Sequence, residues 1–168
     1  MGHCGMGKAQ SGATSQAVAR AMFIGEFTHG LDAKGRVAVP AELRDVLARS
    51  YAQEPDELVI TESLDGRCLW AYPKLEWQRL TEKMTEKLIG TREAIQVRRK
   101  LLAKARPVRL DGTGRVLLPE SLRDYAGLVK DVVFVGAGRY VELWTPEGWQ
   151  QQTAESADVN HLPWVQDV

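Results

Sequence analysis

The chain has 168 residues, enough for one domain or two small halves with a core of useful size. Lys plus Arg number 22 and Asp plus Glu number 22, so the formal net charge is zero and binding that relies on an overall basic balance is excluded; a nucleic-acid field would have to come from local clustering. No run approaches the ~18 apolar residues of a membrane span, and Cys4 in a Gly-rich stretch and Cys68 in an apolar run do not read as a disulfide pair, so a reducing cytoplasmic setting is expected.

Residues 1–21 are Gly, Ser, Ala and Gln with few charges and no apolar period, which predicts a disordered extension or leader. Strand patterning starts at Phe23 and Ile24 and runs through Phe27 and Leu31 to Val37 and Val39. Asp32-Ala33-Lys34-Gly35 between them fits a three-residue hairpin loop, with Asp32 bonding amides ahead of it and Gly35 in the left-handed bulge position. Pro40 ends the strand and opens a short amphipathic helix through Leu43 and Leu47. Leu58 to Thr61 and Cys68 to Tyr72 form a second pair of strands around the turn Asp65-Gly66-Arg67. A helix with Leu75, Leu80, Met84 and Leu88 near one face follows and ends at Gly90. Thr91 caps the next helix, which turns Ile95, Leu101, Leu102 and Ala105 toward a core. It is strongly basic: Arg92, Arg98, Arg99, Lys100, Lys104, Arg106 and Arg109 accompany one acid, Glu93.

After Pro107 the first half recurs. Leu110-Asp111-Gly112-Thr113-Gly114-Arg115-Val116-Leu117-Leu118-Pro119 matches Leu31 through Pro40 at a constant offset, and Leu122-Arg123-Asp124 continues the match to Leu43-Arg44-Asp45. Further on, Leu143-Trp144 and Trp149 echo Leu69-Trp70 and Trp77 with drifting spacing; these tryptophans suit core or subunit packing better than base stacking. Each half therefore reads as hairpin, short helix, hairpin, longer helix, an α+β organisation. Residues 22–90 hold the first repeat, 91–150 the second with its preceding basic helix, and 151–168 a polar tail.

The repeated turn is the main candidate for function. Asp and Gly are good turn residues in their own right, whereas Arg directly after Gly in both copies is not needed by a turn. Arg36 and Arg115 would add planar donor forks able to bind guanine O6 and N7, and Lys34 a point charge for a phosphate. A two-stranded ribbon fits the major groove. Arg98-Arg99-Lys100 reads either as a solvated helix face or as a phosphate or subunit contact. Enzymatic candidates are poor: His3, His29 and His161 are scattered, His29 reads as a packing residue, and Gly136-Ala137-Gly138 is a turn between strands rather than a phosphate cradle. No nucleophile elbow or zinc-ligand spacing occurs, so no metal, cofactor or small-molecule substrate is expected.

Phe23-x-Gly25-Glu26-Phe27-x-His29-x-Leu31-Asp32-x-Lys34-Gly35-Arg36 resembles the opening of MraZ proteins, and the second-half residues Leu110 to Arg115, Val135-Gly136 and Glu142-Leu143-Trp144 resemble their second repeat. The resemblance covers about Met22 to Trp149. It implies an AbrB-like swapped-hairpin (double-split) β-barrel built from two SpoVT-AbrB-type repeats in one chain, with flanking helices. It further implies ring homo-oligomers, typically octamers, in the cytoplasm and on the nucleoid. Such rings bind repeated short boxes in double-stranded DNA upstream of the division and cell-wall gene cluster and regulate its transcription. Asp32, Lys34, Gly35 and Arg36, then Asp111, Gly114 and Arg115, are the DNA-contacting residues it implies, with Thr113 replacing Lys34 in the second copy. The rival readings are an AbrB-type antitoxin or transition-state regulator, and a ring scaffold that binds no DNA.

Overall fold

A computed structural model of the chain describes residues 21–87 and 90–155. In chain order these form β1 (Glu26–Gly30), β2 (Arg36–Ala38), α1 (Ala41–Ser50), β3 (Glu57–Glu62), β4 (Leu69–Pro73) and α2 (Lys74–Lys87), then α3 (Arg92–Lys104), β5 (Arg106–Arg109), β6 (Arg115–Leu117), α4 (Glu120–Ala126), β7 (Asp131–Gly136), β8 (Val141–Trp144) and α5 (Pro146–Ala154). The extension through residue 20, with His3 and Cys4, lies outside the described residues, as do Leu88 and the tail from 156 with His161.

Six strands form one sheet in the order β1-β7-β8-β4-β3-β5, and β2 pairs with β6 in a separate ribbon; every pairing is antiparallel. The two repeats are interleaved. β1 of the first lies on β7 of the second, and β5 of the second lies on β3 of the first. The edge strands β1 and β5 run through their turns into β2 and β6, which pair with each other and tie the two edges together. This is the AbrB-like barrel, supplied by one chain.

The simple hairpin expected around Asp32 is corrected here. Across the turn only Leu31 and Val37 form a bridge, and the strands then part into different sheets. Pairing β2 with β6 sets Val37 opposite Val116, and both are buried. A three-residue strand cannot bury its central side chain within its own repeat as well as the two can bury each other, so burial favours the exchange.

One core fills the space between ribbon, sheet and helices. It includes Phe23, Val37, Leu43, Leu47, Ile60, Leu69, Val116, Leu118, Leu122, Val132, Phe134 and Leu143. α1 and α4 begin after Pro40 and Pro119 and bury Leu43 with Leu47, and Leu122 with Ala126, at four-residue spacing. Gly127, at φ 66°, ends α4 in the left-handed conformation. α3 packs on β3, where Thr61 Oγ1 donates to the Leu101 carbonyl at 2.9 Å.

Two further expectations change. On α3, Ala94 and Leu101 are buried while Leu102 is 44% exposed, so the apolar stripe is narrower than expected. The tryptophan echo is displaced: Trp144–Trp149 matches Tyr72–Trp77, each a tilted ring pair five residues apart, whereas Trp70 lies opposite Glu142. The turns at Asp65-Gly66-Arg67 and Gly136-Ala137-Gly138 do join their strands, with Gly66 and Gly138 at positive φ.

Candidate nucleic-acid interface

The two Asp-x-x-Gly-Arg turns are built alike. Asp32 Oδ1 accepts the amides of Lys34 and Arg36, both at 2.9 Å, and Asp111 Oδ1 accepts those of Thr113 and Arg115 at 2.9 and 3.0 Å. The glycine amide closes each turn on the aspartate carbonyl at 3.0 Å. Gly35 and Gly114 hold φ of 83° and 78°, a region costly for a side chain. Amide donation from Arg36 holds the Asp32 carboxyl below the usual carboxylate range, and donation from Arg115 does the same for Asp111.

The arginines also take part in the turns. Arg36 Nε donates to Asp32 Oδ2 at 2.9 Å, and Arg115 Nε to Asp111 Oδ2 at 3.0 Å. A reason for Arg inside the turn thus exists beside any binding role. Only the Nε edge is used: the Nη groups of both residues bond to nothing else among the described residues, and about a third of each side chain is exposed. The aspartates fix the guanidinium planes and leave an end-on pair of donors, the geometry that guanine O6 and N7 accept.

The strand exchange brings the two turns onto one ribbon. Arg36 stands opposite Leu117, and Ala38 opposite Arg115. Beyond the ladder, the Val39 amide donates to the Gly114 carbonyl and the Leu118 amide to the Gly35 carbonyl, each at 2.9 Å. Val37 and Val116 point into the core, so by strand alternation Arg36, Ala38, Arg115 and Leu117 share the outer face. Leu117 is 55% exposed there, an apolar group between two arginines. His29 packs as expected: its Nδ1 donates to the Ala38 carbonyl at 2.8 Å and its ring meets Phe134 edge-on.

The sequence reading missed Arg44 and Arg123. Arg44 Nε donates to the Val39 carbonyl at 3.1 Å, and Arg123 Nε to the Leu118 carbonyl at 3.0 Å. Each guanidinium lies over the turn glycine of the opposite repeat, and both glycines are buried. The signal was present, since Arg44 and Arg123 fall at the same repeat offset; it was read only as helix similarity.

The basic helix contributes differently. α3 packs on β3, away from the ribbon strands, and no bond joins Arg98, Arg99 or Lys100 to either turn. Lys100 Nζ donates to the Leu64 carbonyl, Lys104 lies 3.9 Å from Glu62, and Arg109 pairs with Glu57. Several of these cations therefore serve the fold. Among the described residues no group of three His, Cys, Asp or Glu side chains is placed to hold a metal ion, and no helix is long and apolar enough to cross a membrane.

Fold and site together define a two-repeat AbrB-like protein with a paired, arginine-bearing turn ribbon. The family described as "MraZ protein, putative antitoxin-like" matches residues 22–99 and 101–162. The chain is 42% identical over 137 residues to a "Transcriptional regulator MraZ" from Lachnoclostridium phytofermentans, covering 82% of this chain and 91% of that one. A protein of the same name from Natranaerobius thermophilus is 44% identical over 141 residues (83% and 93%), and one from Saccharophagus degradans 39% over 142 (84% and 95%). The chain belongs to the MraZ family.

Proposed function

We propose that this protein is a sequence-specific, non-enzymatic transcriptional regulator that holds double-stranded DNA against the β2–β6 ribbon. The observation that carries the reading is the joining of both turns on one ribbon, with Arg36 and Arg115 each fixed by its aspartate through Nε while, among the described residues, the Nη groups stay unbonded. Arg36 and Arg115 read guanines. Asp32, Gly35, Asp111 and Gly114 shape the turns, and Lys34 holds a phosphate. Arg98, Arg99 and Lys100 add electrostatic attraction outside the ribbon.

One module makes few base contacts, each worth about 1–3 kcal/mol, too few to select a genomic site. A ring homo-oligomer, of octamer size in this reading, meets the need by engaging several spaced boxes, and linked binding raises avidity ~10²–10⁴-fold. The targets are repeated short boxes upstream of the division and cell-wall gene cluster, which places the protein in the cytoplasm on the nucleoid. Residues 22–90 and 91–150 form the two repeats of the module.

The test is fluorescence anisotropy on the duplex directly upstream of the chain's own gene, against a scrambled duplex, over a salt series. The unsubstituted protein should prefer the native duplex with a steep salt dependence. Arg36→Ala should lose that preference while its oligomer, read by light scattering, persists. Wild-type affinity in Arg36→Ala would refute the assignment, and no salt-dependent binding at all would favour a scaffold. An antitoxin reading demands a toxin captured by chain outside the barrel, and Arg36-dependent promoter binding separates the two.

A further inference from the structure

Arg44 and Arg123 stand out once the ion pairs are assigned. Arg36 and Arg115 carry their own aspartates, whereas neither Arg44 nor Arg123 is paired with a carboxylate among the described residues. Each is tethered by Nε to a backbone carbonyl, Val39 or Leu118, at the point where the ribbon strand ends and its helix approaches. Each then crosses to the other repeat. A methyl group built on Gly114 would stand 2.6 Å from Arg44 Nη1, and one on Gly35 would stand 2.7 Å from Arg123 Cζ. A guanidinium thus covers each turn, supplied by the opposite half.

We propose that Arg44 and Arg123 are a symmetric pair of phosphate-binding residues that flank the ribbon and clamp the DNA backbone on either side of the bases read by Arg36 and Arg115. This rests on the DNA reading above and assigns it two further contacts. The chemistry fits the placement. A guanidinium without a carboxylate keeps its full charge for an outside anion, and one tethered through Nε loses little freedom on binding. The placement is duplicated by the repeat, as a pair of contacts to two antiparallel strands requires. Phosphate contacts fix register and carry no sequence information, so the pair supplies affinity while the turn arginines supply choice.

The test uses the full-length chain and separates this role from a structural one. Arg44→Gln with Arg123→Gln should reduce the slope of log K against log salt by about 0.9 per arginine per module, and lower affinity about fivefold per arginine at 0.15 M salt. The loss should be equal on native and scrambled duplexes. Arg44→Lys with Arg123→Lys keeps the charge and loses the carbonyl tether, so it should retain the slope while lowering the melting temperature and costing less affinity than the Gln pair. An unchanged slope in the Gln pair, a loss confined to the native duplex, or equal slopes in the Gln and Lys pairs would each overturn the assignment while leaving the DNA reading standing. Absence of salt-dependent binding by the unsubstituted chain would overturn the DNA reading and this assignment with it.

Discussion

Two glycines in the second turn, Gly112 and Gly114, allow a controlled test of how the repeats lock together. A methyl group on Gly112 meets nothing within 4 Å, and its φ is not positive. One on Gly114 meets Arg44 Nη1 at 2.6 Å and Cδ at 2.7 Å, at φ 78°. Arg44 is flexible and can retreat, so the steric overlap itself is cheap. Its retreat gives up the bond to the Val39 carbonyl, worth about 1 kcal/mol. The left-handed backbone costs a further ~1–2 kcal/mol with a side chain. Gly114→Ala should therefore destabilise by about 2–3 kcal/mol, lowering Tm by roughly 4–12 °C for a chain of this size. Gly112→Ala should be neutral or stabilise by ~0.4–1 kcal/mol through the unfolded chain. Calorimetry of both variants decides the matter. Tm values within about 1 °C of each other would refute the picture of Arg44 packed across the turn on a left-handed glycine.

Leu118→Ala, at a fully buried site beside the ribbon, should cost about 2–5 kcal/mol in chemical denaturation, whereas Leu117→Ala, 55% exposed, should change stability by under ~0.5 kcal/mol. If Leu117 contacts a thymine methyl, replacing thymine by uracil in the bound duplex should weaken the parent protein and leave Leu117→Ala unaffected; equal responses would reject the contact. Burial pushes the Cys68 thiol up to about 12. In a Cys4→Ser background, a thiol reagent at pH 8 should therefore react ~10³-fold more slowly with native protein than with protein in denaturant, and a fast native reaction would contradict the placement. Asp32 and Asp111 are held below the ordinary carboxylate value of 3.8, so their contribution is complete above it and is lost as pH falls below it. Stability curves should show no loss from these groups between pH 8 and 5 and a decline below about pH 4 that Asp32→Asn with Asp111→Asn flattens; an unaltered decline would assign it elsewhere.

The local chemistry of the turns was legible in the residues. Asp32 and Asp111 bond the amides ahead of them, and Gly35 and Gly114 take positive φ, because these choices depend on a few neighbouring atoms. What was not legible was which strand each turn feeds. Val37 alternates with Arg36 and Ala38 equally well in a hairpin within its repeat or in a ribbon with Val116, since period-two patterning specifies a buried face and not a partner. β5 was hidden for a related reason: Arg106-Pro107-Val108-Arg109 has little apolar content, and its strand state comes from tertiary pairing with β3. The role of Arg in the turn was misjudged because propensity rules treat it as a surface charge, while the carboxylate that fixes it lies four residues earlier. Arg44 and Arg123 could be placed only once the exchange was known, since their targets belong to the opposite repeat.

The exchange also explains why the two copies can differ without loss of the site. Each turn is covered from the other half, so neither copy must be complete by itself. In the second, Thr113 Oγ1 donates to Asp111 Oδ1 at 2.7 Å and joins the network of its own turn. In the first, Lys34 is exposed and, among the described residues, bonds through its backbone amide alone, leaving its ammonium open to a ligand. The second turn is therefore the more internally stapled, and its aspartate gains the Thr113 hydroxyl as an additional donor. Duplication within one chain permits this division, which a symmetric pair of identical chains could not make. One turn keeps an exposed cation while the other is tightened, and both remain on a ribbon whose buried side, Val37 against Val116, is shared. The outer face of the ribbon is asymmetric in charge although its frame is symmetric, so under the DNA reading proposed above a bound duplex would be gripped in one preferred direction.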